Sequence, residues 1–320
     1  MTRLPFGLFW LFFLVLLGGC QGSPTQFALI GDGPYGEENL PKYERMIERV
    51  NETRDIDWVV HLGDMKSGSS NCRDEDLLRL YALNKRFEAP FVLTPGDNDW
   101  FDCKREIAGG WDRLGRLDKL REIFYREQPA LPLVSQGGRG RFGDFVENVY
   151  WQDAGVVFAA VHLTGMSGAE GGIDLHNDIQ NAAIEWLDEV FKVANQNGAA
   201  GVFLATQADI YPFSGERGWL VAECPACVGV RKYYENFHQA LLRHIREFEN
   251  PILFAVGDTH IFRVDKPLYD GDDLVEHFTR VEGFGADNIH WVRIVVRPET
   301  SQVFEIHQEI IPENIEKAGK

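Results

Sequence analysis

The chain has 320 residues, 44% of them apolar and 25% charged, a globular balance that excludes collagen-like and intrinsically disordered architectures. Its formal net charge of -17 argues against a nucleic-acid surface or an anionic membrane surface as partner, because both call for clustered Lys and Arg. The acidic surplus fits metal binding and plain solubility equally well.

Residues 1–19 read as a signal peptide: Arg3, an almost unbroken apolar run over 6–17, then Gly18 and Gly19. The run is shorter than the roughly 20 residues that span a bilayer. Cys20 follows the small residues, as at a bacterial lipoprotein processing site, so lipidation of its thiol is expected; a plain secretory peptide is the alternative. Residues 20–26 then form a lipidated N-terminus and linker. The expected location is the bacterial cell envelope, lipid-anchored to a membrane or periplasmic.

Apolar runs that end in glycine and an acid come next: 27–30 before Gly31-Asp32, 58–62 before Gly63-Asp64, and 91–94 before Pro95-Gly96-Asp97. Each reads as a buried strand ending in a loop. Between them, 39–51 and 75–87 carry apolar residues at helical spacing. This βαβαβ order predicts parallel strands whose carboxyl ends share one edge. Residues 102–143 read as an insertion, a helix plus loop covering one face. A second series follows: strands near 147–151 and 156–163, a helix over 177–195, a strand over 202–205, a long loop holding Cys224 and Cys227, a helix over 231–248 and a strand over 252–256. Residues 290–311 alternate as a closing antiparallel hairpin. The expected architecture is one α/β domain over 27–311, a two-sheet sandwich flanked by helices, with a tail over 312–320.

With Cys20 assigned to the anchor, Cys72, Cys103, Cys224 and Cys227 remain, an even number that suggests disulfides in an exported protein. Cys72 with Cys103 and Cys224 with Cys227 is the favoured pairing, because each pair lies near a shared loop region. The Cys-Pro-Ala-Cys spacing also allows a redox motif, which makes a redox protein one rival reading.

Asp32, Asp64, Asp97 and Asp258 all follow a glycine at a strand end. In an α/β fold that edge is the functional one, so these carboxylates are expected to converge. Converging carboxylates do not all stay ionised without cations, and oxygen ligands favour Mn, Mg, Ca or Fe.

The ordered series resembles the calcineurin-like metallophosphoesterases, in particular an exported branch with a modified metal site. That superfamily shows Asp-x-His, Gly-Asp, Gly-Asn-His-Asp/Glu, a His after a strand and Gly-His-x-His. The matching positions read Asp32-Gly33-Pro34, Gly63-Asp64, Gly96-Asp97-Asn98-Asp99, Gln207 and Gly257-Asp258-Thr259-His260. The resemblance implies two divalent metal ions. Asp64 would bridge them, Asp32 and His260 would serve the first, and Asp97, Gln207 and Asp258 the second. It further implies hydrolysis of a phosphomonoester or phosphodiester by direct attack of a metal-bound hydroxide, on a small-molecule or phosphorylated substrate. The departures are Pro34 in place of a ligand His, with Tyr35 near enough to replace it, and Asn98 in place of the His that protonates the leaving group. A catalytically weak or inactive metal- or phosphate-binding envelope lipoprotein of the same fold is therefore the alternative.

Lys66, Arg105, Arg263 and Lys266 lie close to motif positions and are candidates for holding phosphate oxygens; ordinary surface roles compete. His162, at the end of a strand, is a candidate substitute acid, with a satisfied structural histidine as the competing reading. His61, among Val59, Val60 and Leu62, reads as structural. Trp100 and Phe101 are expected to wall the pocket or to pack in the core.

Overall fold

The computed structural model describes residues 24–165, 173–211 and 225–315. The first sheet has the order β14-β13-β1-β2-β3, built from β1 (Gln26–Ile30), β2 (Trp58–His61), β3 (Phe91–Leu93), β13 (Trp291–Arg297) and β14 (Val303–Glu309). The second has the order β4-β5-β6-β7-β8-β12-β9, from β4 (Val134–Ser135), β5 (Val149–Asp153), β6 (Val156–Ala160), β7 (Gly201–Ala205), β8 (Ile252–Val256), β9 (Arg263–Asp265) and β12 (Phe278–Glu282). A small hairpin, β10 (Tyr269–Asp270) with β11 (Asp273–Leu274), lies apart from both.

Alternation along each strand produces the layers, since successive side chains point to opposite faces. Phe27 and Leu29 of β1 face the space between the sheets, where they meet Phe158, Phe203 and Leu253. Ala28 and Ile30 face the other way, onto Tyr43, Met46, Ile47 and Val50 of α1 (Leu40–Glu52). Val202 and Leu204 of β7 and Ile252 and Phe254 of β8 turn outward under α4 (Ile173–Asn197) and α5 (Pro225–Glu247). The result is a helix, sheet, sheet, helix stack, the sandwich expected. Its centre is an aromatic cluster in which Trp58 meets Phe158 edge-on at 5.0 Å and Phe27 meets Phe203 at 4.9 Å. Truncating such a ring to alanine costs about 3–5 kcal/mol.

Two shorter helices flank the functional edge. α2 (Asp74–Asn84) opens with Asp74, Glu75 and Asp76 in its first turn, where negative charge complements the helix dipole. α3 (Arg113–Phe124) is capped by Asp112, whose side chain accepts from the Gly115 amide at 2.7 Å. Cys72 and Cys103 are joined, with 5.7 Å between their Cα atoms. The Cys224–Cys227 pairing lies outside the described residues, as do Cys20, the leader and the lipid-anchor expectation. One reading is corrected: α5 begins at Pro225, so Cys227 lies in a helix and not in a loop. Among the described residues, no helix is long and apolar enough to cross a membrane.

Candidate functional site

β1, β2 and β3 run parallel, as do β6, β7, β8 and β12, so the loops that follow them meet at one edge of the sandwich. The two sheets are tied there directly, Thr94 Oγ1 donating to the Val161 carbonyl at 3.0 Å. Loop packing explains the Gly-Asp repeats. Gly63 has φ +87°, and a Cβ on it would sit 2.4 Å from the Gly96 nitrogen; a Cβ on Gly96 would sit 2.0 Å from Asp64 Oδ1. Asp32, Asp64, Asp258 and His260 themselves have positive φ, at 48°, 55°, 76° and 62°, a region that non-glycine residues adopt at some cost and Asp, Asn and His most readily.

Asp64 is the hub. Its Oδ1 accepts from the Asn98 amide at 3.0 Å. Its Oδ2 accepts from Asn98 Nδ2 at 2.8 Å, from the Tyr35 hydroxyl at 3.2 Å and from Gln207 Nε2 at 3.3 Å. Tyr35 also lies 3.3 Å from His260 Nε2. Gln207 Nε2 reaches Asp97 Oδ1 and Asp258 Oδ1, each at 3.4 Å. Asp32 Oδ1 accepts from the Asp258 amide at 3.0 Å and lies 3.6 Å from His260 Nε2, while its Oδ2 is buried with no hydrogen-bond partner.

Burial raises the carboxyl pKa of Asp32, Asp64 and Asp97 well above the usual range, and their mutual repulsion adds to it. Asp258 is pushed up to about 6, by burial first and the charge of Asp209 second. Positive charge borders the cluster at two points. Lys66 is buried, its ammonium donating to the carbonyls of Ser67 and Ser70 at 3.3 and 3.2 Å; burial lowers its pKa, against the pull of Asp99, Asp64 and other acids. Arg105 pairs with Asp102 at 2.7 Å and keeps its side chain 38% exposed. It lies beside Asn98: a Cβ on Gly68 would be 2.5 Å from both Arg105 Nη1 and Asn98 Oδ1.

The donor set suits a hard cation in kind, with three buried carboxylates and the partly buried Asp258, an orphaned Asp32 oxygen and a partly exposed imidazole. Among the described residues, however, no three His, Cys, Asp or Glu side chains close into a ready cage. The Asn98 and Gln207 amides and the Tyr35 hydroxyl stand between the carboxylates and donate to them. Gln207 meets the cluster through its amide: its Oε1 accepts the Gly165 amide at 2.5 Å, and its Nε2 faces the carboxylates.

The other candidates divide. Asp32, Asp64, Asp97, Asn98, Asp258 and His260 come together, with Lys66 and Arg105 at their margin. Arg263 is committed elsewhere, 2.5 Å from Asp209 and 2.7 Å from Glu282. Lys266 is engaged elsewhere, its ammonium donating to the Glu276 carbonyl and to Thr279 Oγ1. His162 is fully buried and 2.7 Å from Glu147, which Arg121 also binds; it belongs to that ion cluster and not to the carboxylate edge. His61 is buried, accepting from the Gly63 amide at 3.1 Å, as a structural residue does. Trp100 and Phe101 pack with Met65, Leu77 and Leu93 in a core cluster, the second of the two expectations. Sequence reasoning missed the role of Asp99, a buried carboxylate accepting the amides of Asp64, Met65 and Gly96 at 2.9, 2.8 and 2.8 Å. It also missed Asp209, Arg280 and Glu282. Asp99 had a signal in its place as the last residue of the Gly96-Asp97-Asn98-Asp99 motif; the other three had none.

The model of the calcineurin-like phosphoesterase family matches residues 25–262. Among solved structures, that of PhoD is similar at 13% identity, covering 91% of this chain and 69% of that one with a TM-score of 0.57. The 5'-nucleotidase from Candida albicans SC5314 is similar at 12% identity, covering 91% of this chain and 52% of that one, so about half its length, with a TM-score of 0.51. At such identities the likeness is one of fold. No curated protein matches the sequence.

Proposed function

The chain belongs to the calcineurin-like phosphoesterase family, and from that premise we propose that it hydrolyses a phosphoester, mono- or diester, at the carboxylate edge. The observation that carries this reading is the meeting of four carboxylates from both sheets, Asp32, Asp64 and Asp97 buried and Asp258 partly buried, at one edge around a common hub. Two divalent cations of the Mn, Mg, Ca or Fe class would be held by Asp32, Asp64 and His260 on one side and by Asp64, Asp97 and Asp258 on the other. Such ions, when bound, supply Lewis acidity toward the phosphoryl oxygens and the attacking water.

The chain's own residues do the rest. Arg105, exposed beside Asn98, holds a phosphoryl oxygen. Asn98 fixes Asp64 and the Tyr35 hydroxyl but donates no proton in the acid–base sense, so the ester oxygen leaves unprotonated as the bond to phosphorus breaks. The proposed substrate is a small-molecule or otherwise phosphorylated ester. The Cys72–Cys103 disulfide supports an exported, oxidising setting; a lipid anchor at Cys20 remains part of the proposal.

A non-catalytic module of the same fold is the second reading, favoured by the amides of Asn98 and Gln207, which already satisfy Asp64. Hydrolysis of p-nitrophenyl phosphate and bis-p-nitrophenyl phosphate, with each metal in turn and alongside metal analysis, separates the two. Metal-dependent turnover lost in Asp64→Asn supports the enzyme. Metal bound without turnover supports the module, and no metal bound at all overturns the site.

A further inference from the structure

The stretch Gly257 to Lys266 carries more polar residues than a metal site uses. Asp258 and His260 face the carboxylates, yet Thr259, Arg263 and Asp265 are equally fixed by their surroundings. All three lead to β12, the strand that ends in Glu282.

Glu282 is buried under the turn that bears His260. Its Oε1 accepts from the Thr259 hydroxyl at 2.5 Å and from the Ile261 amide at 3.1 Å, so one oxygen grips the residues on either side of His260. Its Oε2 lies 2.7 Å from Arg263 Nε. Arg263 in turn reaches Asp209 at 2.5 Å and Thr259 Oγ1 at 3.3 Å. Asp209 receives Arg280 Nη1 at 3.0 and 2.9 Å, and Arg280, itself fully buried, also binds Asp265 at 2.8 and 2.5 Å and the Tyr211 carbonyl. Burying Glu282, Asp209 and Arg280, with Arg263 and Asp265 partly buried beside them, costs desolvation that apolar packing would avoid. An arrangement of this cost has its best-attested use in fixing one conformation, and here the conformation is unusual, with Asp258 and His260 both at positive φ.

We infer that Glu282, held by Arg263, Asp209 and Arg280, is a positioning residue: it locks the 258–261 turn so that His260 is presented to Asp32 and Tyr35. The turn is pinned from both ends, by Asp32 at the Asp258 amide and by Glu282 at the Ile261 amide. The inference rests on the proposed site for its purpose but not for its geometry, and the experiment keeps the two apart.

Two variants test it. Thr259→Val removes a single hydroxyl and leaves the ion pairs intact; Glu282→Ala removes the grip entirely. Amide exchange at residues 259–261, the nuclear magnetic resonance signals of the His260 ring (assigned by comparison with His260→Gln) and Mn²⁺ affinity are measured on the full chain. Expected are faster exchange at Ile261 in both variants, unchanged protection in β7 and β8, and conformational averaging of the His260 ring. Mn²⁺ affinity should fall about 10- to 100-fold, the usual effect of losing an outer-shell partner, with Thr259→Ser restoring it. Unaltered Ile261 exchange and an unaltered His260 ring in a folded Thr259→Val protein overturn the inference. If those two change while the wild type binds no Mn²⁺, the positioning role stands and the metal site falls.

Discussion

Asp99 is the residue whose replacement gives the clearest number. Its Oδ2 takes two backbone amides, from Asp64 and Gly96, and its Oδ1 takes a third from Met65, all within 2.9 Å and all buried. In Asp99→Asn the carbonyl keeps the two amides on one side, and the new NH₂ group faces the Met65 N–H. One buried donor is then orphaned, at about 1–3 kcal/mol, and the two surviving bonds change from charged to neutral acceptors, at roughly 1 kcal/mol each. The sum is about 3–5 kcal/mol, large against the 5–15 kcal/mol of a typical domain. Urea unfolding followed by tryptophan fluorescence measures it. Because the carboxylate joins the loop after β2 to the loop after β3, metal content should fall along with stability. A variant within about 0.5 kcal/mol of the wild type would refute the reasoning, since it would show that neither loop depends on this carboxylate.

Asp64→Asn should reduce bound metal more than Asp97→Asn, because the hub serves both ion positions; near-equal content in the two variants by elemental analysis contradicts the assignment. Asn98→His should speed alkyl phosphate hydrolysis relative to p-nitrophenyl phosphate, by up to the 10²- to 10⁴-fold that general-acid assistance supplies; efficient alkyl cleavage by the wild type would reveal another acid. Burial lowers the His61 pKa to about 3 from 6.5, so the folded state stays neutral while the unfolded chain gains a proton as the pH falls below about 6.5. At pH 5 that opposes folding by about 2 kcal/mol. His61→Asn should therefore gain about this much on the wild type between pH 7 and pH 5 in urea titrations, and an identical difference at both pH values counts against it. The Cys72–Cys103 link closes a separation of 31 residues, and the double serine variant should lose about 3–4 kcal/mol; peptide mapping without reduction that finds Cys72 free removes the premise.

The strands bearing Asp32, Asp64, Asp97 and Asp258 were legible because each is a short apolar run stopped by glycine, and run length and stop are local properties. β9 to β12 were not. They are two to five residues long, broken by Pro267 and Gly271, and too brief for period-2 alternation to register. Arg280 falls among Thr279, Val281 and Glu282 like any outward-facing strand residue, and its burial depends on Asp209, 71 positions away. The position of Gln207 was readable, but its orientation rests on the amide of Gly165, 42 residues distant. The start of α5 does carry a local signal, Pro225, since proline favours the first helical position.

Left-handed backbone at Asp32, Asp64 and Asp258 changes what a substitution there reports. Alanine at these positions removes the carboxylate and also forces an ordinary L-residue into a conformation costing about 1–2 kcal/mol. An alanine scan of this edge would therefore credit the ligands with energy that belongs to the chain's own stiffness. Asparagine, close in shape and tolerant of the same backbone, isolates the charge; glycine relieves the backbone and deletes the side chain. The spread between the Ala and Gly variants at one position measures the conformational part directly, with no metal or substrate present.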